Sequence, residues 1–241
     1  MSVSLSITEM LLEDIQGESS ALAANNAPYY SAWSVNNASI STESGMANYL
    51  VTLPETGIAE EVFRAYEGVL GRAPTSSELH FYVSYAETGL TPSQVALGPT
   101  AVSQSTWDTI FSGFYHSAEY AARFGGTISG PDALTNPEFA TLMYAQVLNR
   151  VPTTAEINFY VNQMNNGTSR VTVLEEFVNS SEYINDTKSQ IDASLVAGAL
   201  NDTGSGPTYS EIAFGHSSGD STLSAAHHAA SAAHLGLLHQ A

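Results

Sequence analysis

The 241-residue sequence predicts an all-α fold, a multi-helix domain containing two related helical repeat units. Three observations carry that expectation. Helix-start signals recur at Thr75-x-x-Glu78, Thr91-x-x-Gln94, Thr135-x-x-Glu138, Thr153-x-x-Glu156, Thr187-x-x-Gln190 and Thr208-x-x-Glu211. In each, a hydroxyl can accept from the third amide of a helix while a Glu or Gln reaches back to the cap. Between them apolar residues fall at helical spacing, as in Ile58, Val62, Phe63, Tyr66, Val69 and Leu70, or Phe139, Leu142, Met143, Val147 and Leu148, and strand-like alternation is scarce. Finally, YEGVLGRAPTSSELHFYV at 66–83 returns 78 residues later as YAQVLNRVPTTAEINFYV at 144–161. A fixed-period duplication indicates two copies of one supersecondary unit.

Taken in order, residues 1–54 form an N-terminal helical extension with short helices expected over Thr8–Ile15 and Pro28–Val35. Repeat 1, residues 55–126, reads as helix, tight turn at Arg72-x-Pro74, helix, glycine stop at Gly89, and a third helix marked by Phe114–Tyr120. It carries an insertion at 90–113, with Gly98-Pro99 and Trp107, expected on the surface. Repeat 2, residues 134–200, lacks the insertion, stops at Asn166-Gly167, and marks its third helix with Phe177–Tyr183. Residues 201–241 are a Gly/Ser/His-rich tail, loop-like to 224 and able to form a short uncharged helix over 225–241.

Composition removes several function classes. Six basic residues against 24 acidic ones give a formal charge of −18, which repels phosphate backbones and anionic lipid head groups, so nucleic acid is a poor partner. Cysteine is absent, which excludes disulfides and thiol chemistry. No apolar run is long enough for a transmembrane helix, and the first sixteen residues lack the pattern of a cleaved secretory signal. Asn, Ser, Thr and Gly dominate the polar complement, a surface suited to glycans or to neighbouring copies of the chain.

At the LGR-x-P signature, copy two (138–184) resembles nearly end to end a secreted helical domain of uncharacterised function, distantly similar to phycobilisome linker domains. Copy one resembles it apart from the insertion. Asn149 replaces the family's turn glycine in copy two, and Tyr82 and Tyr160 replace its tryptophan. The order of segments over about 45–215 is also similar to the helical N-terminal domain that anchors Caulobacter-type S-layer proteins to lipopolysaccharide. That resemblance implies a non-enzymatic, secreted cell-surface structural protein of a Gram-negative bacterium. It implies type I secretion through an uncleaved C-terminal signal, self-assembly, binding to surface polysaccharide or lipopolysaccharide, and calcium in assembly with no other cofactor required. The alternatives are a subunit of an extracellular filament or biofilm matrix, an intracellular linker protein, or a secreted hydrolase.

Arg72 and Arg150 occupy matched positions and are expected to be structural, bonding helix-end carbonyls and pairing with Glu78 and Glu156 or Glu119 and Glu182, with ligand contact as the alternative. Tyr85, Trp107, His80, Asn158 and Asn162 are the candidates for glycan contact, because the repeat does not keep them equal; repeated aromatics more often form core. Gly215-x-Ser217-x-Gly219 has the letters of a nucleophile elbow without the strand that such an elbow needs. His227 and His234 are seven apart, too far along a helix to share one ion. Glu60-Glu61 and Glu175-Glu176 have no EF-hand spacing.

Overall fold

The computed structural model describes residues 3–122 and 130–212, and among these there is no strand. Twelve α-helices follow one another: α1 (Leu5–Gln16), α2 (Ser20–Ser34), α3 (Glu43–Leu50), α4 (Thr56–Ala65), α5 (Ser76–Ala86), α6 (Pro92–Val95), α7 (Gln104–Tyr115), α8 (Ala118–Ala122), α9 (Asn136–Gln146), α10 (Thr154–Asn165), α11 (Arg170–Val178) and α12 (Ser181–Leu200). A π-helical turn, Tyr66–Leu70, continues α4.

Four of the six expected capping boxes form, at Thr75, Thr91, Thr135 and Thr153. Two do not. Thr187 is buried in the interior of α12, and no helix follows Thr208 among the described residues. The N-terminal helices run longer than their apolar cores, because Ser4 and Ser19 cap α1 and α2 upstream and Pro28 is accommodated inside α2. The motifs at Phe114–Tyr120 and Phe177–Tyr183 are not third helices. Each is a junction where one helix ends and a serine starts the next: Ser117 Oγ accepts from the Tyr120 amide (3.0 Å) and Ser180 Oγ from the Tyr183 amide (3.2 Å). Each motif tyrosine is buried. The insertion is not a surface appendage either, since it supplies α6 and most of α7 and buries Val95, Val102, Trp107 and Ile110. The tail residues Ser217, His227 and His234, and the segment 225–241, lie outside the described residues.

The chain packs as two compact units. One comprises Met1–Tyr66, Arg72–Trp107 and Thr187–Ile212; the other, among the described residues, comprises Glu67–Gly71 and Asp108–Asp186. Packing boundaries therefore differ from the repeat boundaries. In the first unit α1 is the hub, touching α2, α3, α4 and α5, and its Leu11, Leu12 and Ile15 are wholly buried. Burying such a side chain contributes about 1.5–3 kcal/mol. Gly17 ends α1 in the left-handed conformation (φ 69°), and a Cβ there would stand 2.8 Å from Val83 Cγ2 of α5. The segment after α12 folds back onto this hub: Tyr209 donates to the Asp14 carbonyl (2.6 Å) and meets Phe63 edge-on. Gly198 permits this, because a Cβ would lie 2.7 Å from the Tyr209 ring. Lys188, the chain's single lysine, ties α12 to α4 through the buried Glu60 carboxylate (2.5 Å).

In the second unit α9, α10 and α11 pack on one another around Phe139, Met143, Val147, Leu174 and Phe177, all fully buried. Arg170 of α11 donates to the Leu134 carbonyl and to Asn136 Oδ1 (3.1 Å) and lies over the Phe139 ring, which fixes the start of α9.

The duplicated residues build the same joint twice. Arg72 makes a forked pair with Glu78 (2.9 and 2.8 Å) and stacks 4.9 Å above the Tyr66 ring; Glu78 also accepts from the Thr75 amide (2.7 Å). Arg150 bonds Glu156 (2.8 Å), lies 4.7 Å above Tyr144, and reaches Glu182, while Glu156 accepts from the Thr153 amide (2.7 Å). The pairs expected of Arg72 with Glu78 and of Arg150 with Glu156 or Glu182 form. The turn before each arginine needs positive φ, met by Gly71 (70°) in one copy and Asn149 (50°) in the other; asparagine tolerates this region because its short side chain bonds locally.

Gly17→Ala should cost about 1–3 kcal/mol, from positive-φ strain together with overpacking against Val83, read as a lowered urea midpoint. Arg150→Glu should lower the thermal midpoint further than Arg150→Met. The reversal sets three carboxylates together where the neutral side chain only leaves two without their cation, and differential scanning calorimetry of the two variants checks the order.

Candidate functional site

The inner face of α2 carries Ala23, Ala27 and Ser34, small side chains that let its backbone approach α1 and leave the bulky ones outside. Asn25, Tyr29 and Trp33 recur every four residues and so share one face; Asn26 and Tyr30 share the next. This register produces an aromatic platform. Tyr29 is 68% exposed and Trp33 36%, Trp33 meets Tyr49 of α3 edge-on at 4.9 Å, and Tyr29 and Tyr30 are T-shaped at 5.2 Å.

Beside the platform runs a cavity of about 180 Å³ lined by Glu18, Leu22, Asn25, Asn26, Tyr29, Tyr30, Glu55, Pro92, Val95 and Ala96. Polar groups converge on it. The Tyr30 hydroxyl donates to Glu55 Oε1 (3.1 Å), and Asn26 Nδ2 donates to Glu18 Oε1 (2.8 Å). Glu18 is 3% exposed and its second oxygen, Oε2, has no hydrogen-bond partner. A second cavity of about 220 Å³, lined by Ser19, Leu22, Ser84, Glu87, Leu90, Pro92 and Val95, shares the Leu22, Pro92 and Val95 wall.

Electrostatics here are one-signed. Burial, with the neighbouring Glu55 and Glu13 charges and against the Asn26 hydrogen bond, pushes the Glu18 carboxyl up to about 7. Burial, then Glu18, pushes Glu87 up to about 7, and burial, then Asp202 and Glu13, does the same to Asp14. Burial, then the Glu55 charge, raises the Tyr30 phenol. The arrangement can therefore stack a flat apolar face on Tyr29 and accept hydrogen bonds at its carboxylates. Among the described residues no basic side chain lines either cavity.

None of the five residues expected to contact glycan lines this groove. Tyr85 is exposed on α5, and Asn158 and Asn162 are exposed one turn apart on α10. Trp107 is 5% exposed and belongs to the core of α7, which corrects its surface assignment. His80 is half-buried with Nε2 2.7 Å from the Glu13 carbonyl, so it joins α5 to α1 and is not a free contact. Glu119 and Glu182 open α8 and α12. The matched Phe81 and Phe159 are 63% and 58% exposed, so duplication did not mark core at that position. Among the described residues no group of three or more His, Cys, Asp or Glu could hold a metal ion. No described helix is long and apolar enough to cross a membrane.

The sequence model of a family described as a domain of unknown function (DUF4214) matches residues 111–187. That span nearly coincides with Asp108–Asp186 of the second unit and runs from the end of α7 into α12, so the matched module begins before the second repeat does. No curated protein and no solved structure matches the chain.

Stability should pass through a maximum near pH 5. Glu78 and Glu156, held at about 2 by hydrogen bonds from Arg72 and Arg150, contribute stability that is complete above their ordinary 4.5 and lost as pH falls toward 2. Asp14, Glu18 and Glu87 work in the opposite sense, because carboxyls raised to about 7 resist ionisation and destabilise the fold progressively as pH rises from about 4.5 through 7. Glu18→Gln keeps an acceptor for Asn26, so it should raise the thermal midpoint at pH 8 and leave it unchanged below pH 4.5, read by circular dichroism melts.

Proposed function

We propose that this chain is a non-enzymatic, secreted cell-surface structural protein, S-layer-anchor-like in role, that docks onto surface polysaccharide or lipopolysaccharide and assembles with its own copies. The groove beside α2 carries the reading: an exposed aromatic face flanked by amide and carboxylate groups is what a sugar ring requires, with an apolar side to stack and a rim of hydroxyls to satisfy. The resemblance of the repeats to a secreted helical domain supports the location. Exposed Phe81, Phe159, Tyr85 and Leu97 leave apolar area for contacts between copies. Linked copies raise the effective concentration of weak glycan contacts, so a lattice would hold where one chain would not.

Isothermal titration of the full chain with delipidated surface polysaccharide from its native host tests the binding part. Saturable binding is expected, weakened about tenfold by Tyr29→Ala, the scale of one stacked aromatic contact. Tyr29 is mostly exposed, so the fold should be unaffected. Absence of binding, or cleavage of the polysaccharide during the titration, would count against the reading. Immunodetection on washed host cells tests the location, and retention in the cytoplasm would overturn it.

A further inference from the structure

The groove's chemistry is more selective than a general liking for sugars. Glu18, which lines the cavity, is more than nine-tenths buried; one oxygen is held by Asn26, and the other, Oε2, is buried with nothing to bond. A buried carboxylate oxygen in that state lacks a donor, and a cationic donor most of all. Among the described residues that line the groove none is basic. The groups that face Glu18 instead deepen the need. Glu13 comes from α1, Asn26 and Tyr30 from α2, Glu55 from the turn before α4 and Glu87 from the end of α5, so three of the five are carboxyls.

Resting on the glycan reading above, we propose that this groove takes an amino sugar, a glycan ring bearing a free, protonated amine, with Glu18 as the partner of the ammonium and Tyr29 as the face on which the ring stacks. An ammonium brings three donors and a positive charge to a site that offers only acceptors and negative field. Uronic acids and phosphorylated sugars are disfavoured by the same field. The adjoining cavity, which continues past Leu22, Pro92 and Val95 to Glu87 and Ser84, gives a neighbouring ring of the same chain a place to lie. Since the free groove holds Glu18 partly protonated near neutral pH, capture of a cation favours its ionised form and should release a proton.

The test is calorimetric titration of the full chain near pH 6.5, in roughly 0.15 M salt to screen distant charge, with three probes: glucosamine tetramers, their fully N-acetylated counterparts, and galacturonate tetramers. The free-amine tetramer should bind about tenfold or more tightly than the acetylated one, the scale of a charge-assisted hydrogen bond. It should also release protons, seen as a dependence of heat on buffer. Glu18→Gln should abolish that preference and the proton release while keeping the weaker binding shared with the acetylated probe; Tyr29→Ala should weaken both. Glu176→Gln, an exposed carboxylate in the other unit, should change nothing. Equal or tighter binding of the acetylated or galacturonate probe would overturn the amine inference and leave the glycan reading standing. An equal loss in Glu176→Gln would show attraction to net charge alone and would overturn it too. No binding of any probe, with host polysaccharide still bound, would sink the amino-sugar assignment; no binding of either would sink both.

Discussion

The fold depends on a joint in which one guanidinium is shared between a helix cap and an aromatic ring. A capping-box glutamate normally spends its carboxylate on two groups at its own helix start. Here Glu78 and Glu156 spend it on the cap and on Arg72 or Arg150 as well, and that arginine lies on the tyrosine of the preceding helix. Each pair is partly exposed, so the ion pair alone contributes no more than about 1 kcal/mol. Its value is geometric. Cap, turn and helix-to-helix angle are set by the same few atoms, and a chain with six basic residues places two of them there.

Around that joint the two units find their cores differently. The second is a compact set of α9, α10 and α11 closed by aromatic contacts, with Tyr144, Tyr160 and Phe177 packed at 4.5–6.0 Å. The first is organised by α1, which no repeat contains. This helix reaches four neighbours through three leucine and isoleucine side chains, and its polar end is sealed by Tyr209 from far along the chain. Sealing has an electrostatic cost. Asp14, Gln16 and Glu18, at alternate positions closing α1 and following it, each keep a buried side-chain atom without a hydrogen-bond partner. Native structures keep few such groups, and they collect where a ligand or a functional strain explains them. Of the three, Glu18 lines a cavity.

The candidate site was almost unreadable beforehand, for a specific reason. Duplication draws attention to what is matched, yet the groove lies against α2, in the unduplicated residues 1–54. Its one local signal, Asn25, Tyr29 and Trp33 at four-residue spacing, becomes a platform only once Ala23 and Ala27 are known to be the inner face. Residues that differ between the two copies differ for separate structural reasons. Trp107 fills a core that exists in one copy only, and His80 reaches a carbonyl of α1, a helix that has no counterpart in the second repeat.

What the sequence by itself determined was local: helical class, most caps, the glycine stops at Gly89 and Gly167, and the pairing of Arg72 with Glu78 and of Arg150 with Glu156, all set by residues within about ten positions of one another. Tertiary structure alone decided which face of each helix is inside, that Phe114–Tyr120 is a joint between helices, that the insertion is core, and that Glu18, Glu55 and Tyr30 share one cavity. Those outcomes depend on contacts between residues tens to nearly two hundred positions apart, such as Tyr209 with Asp14, and burial of that kind leaves no periodic trace in the chain.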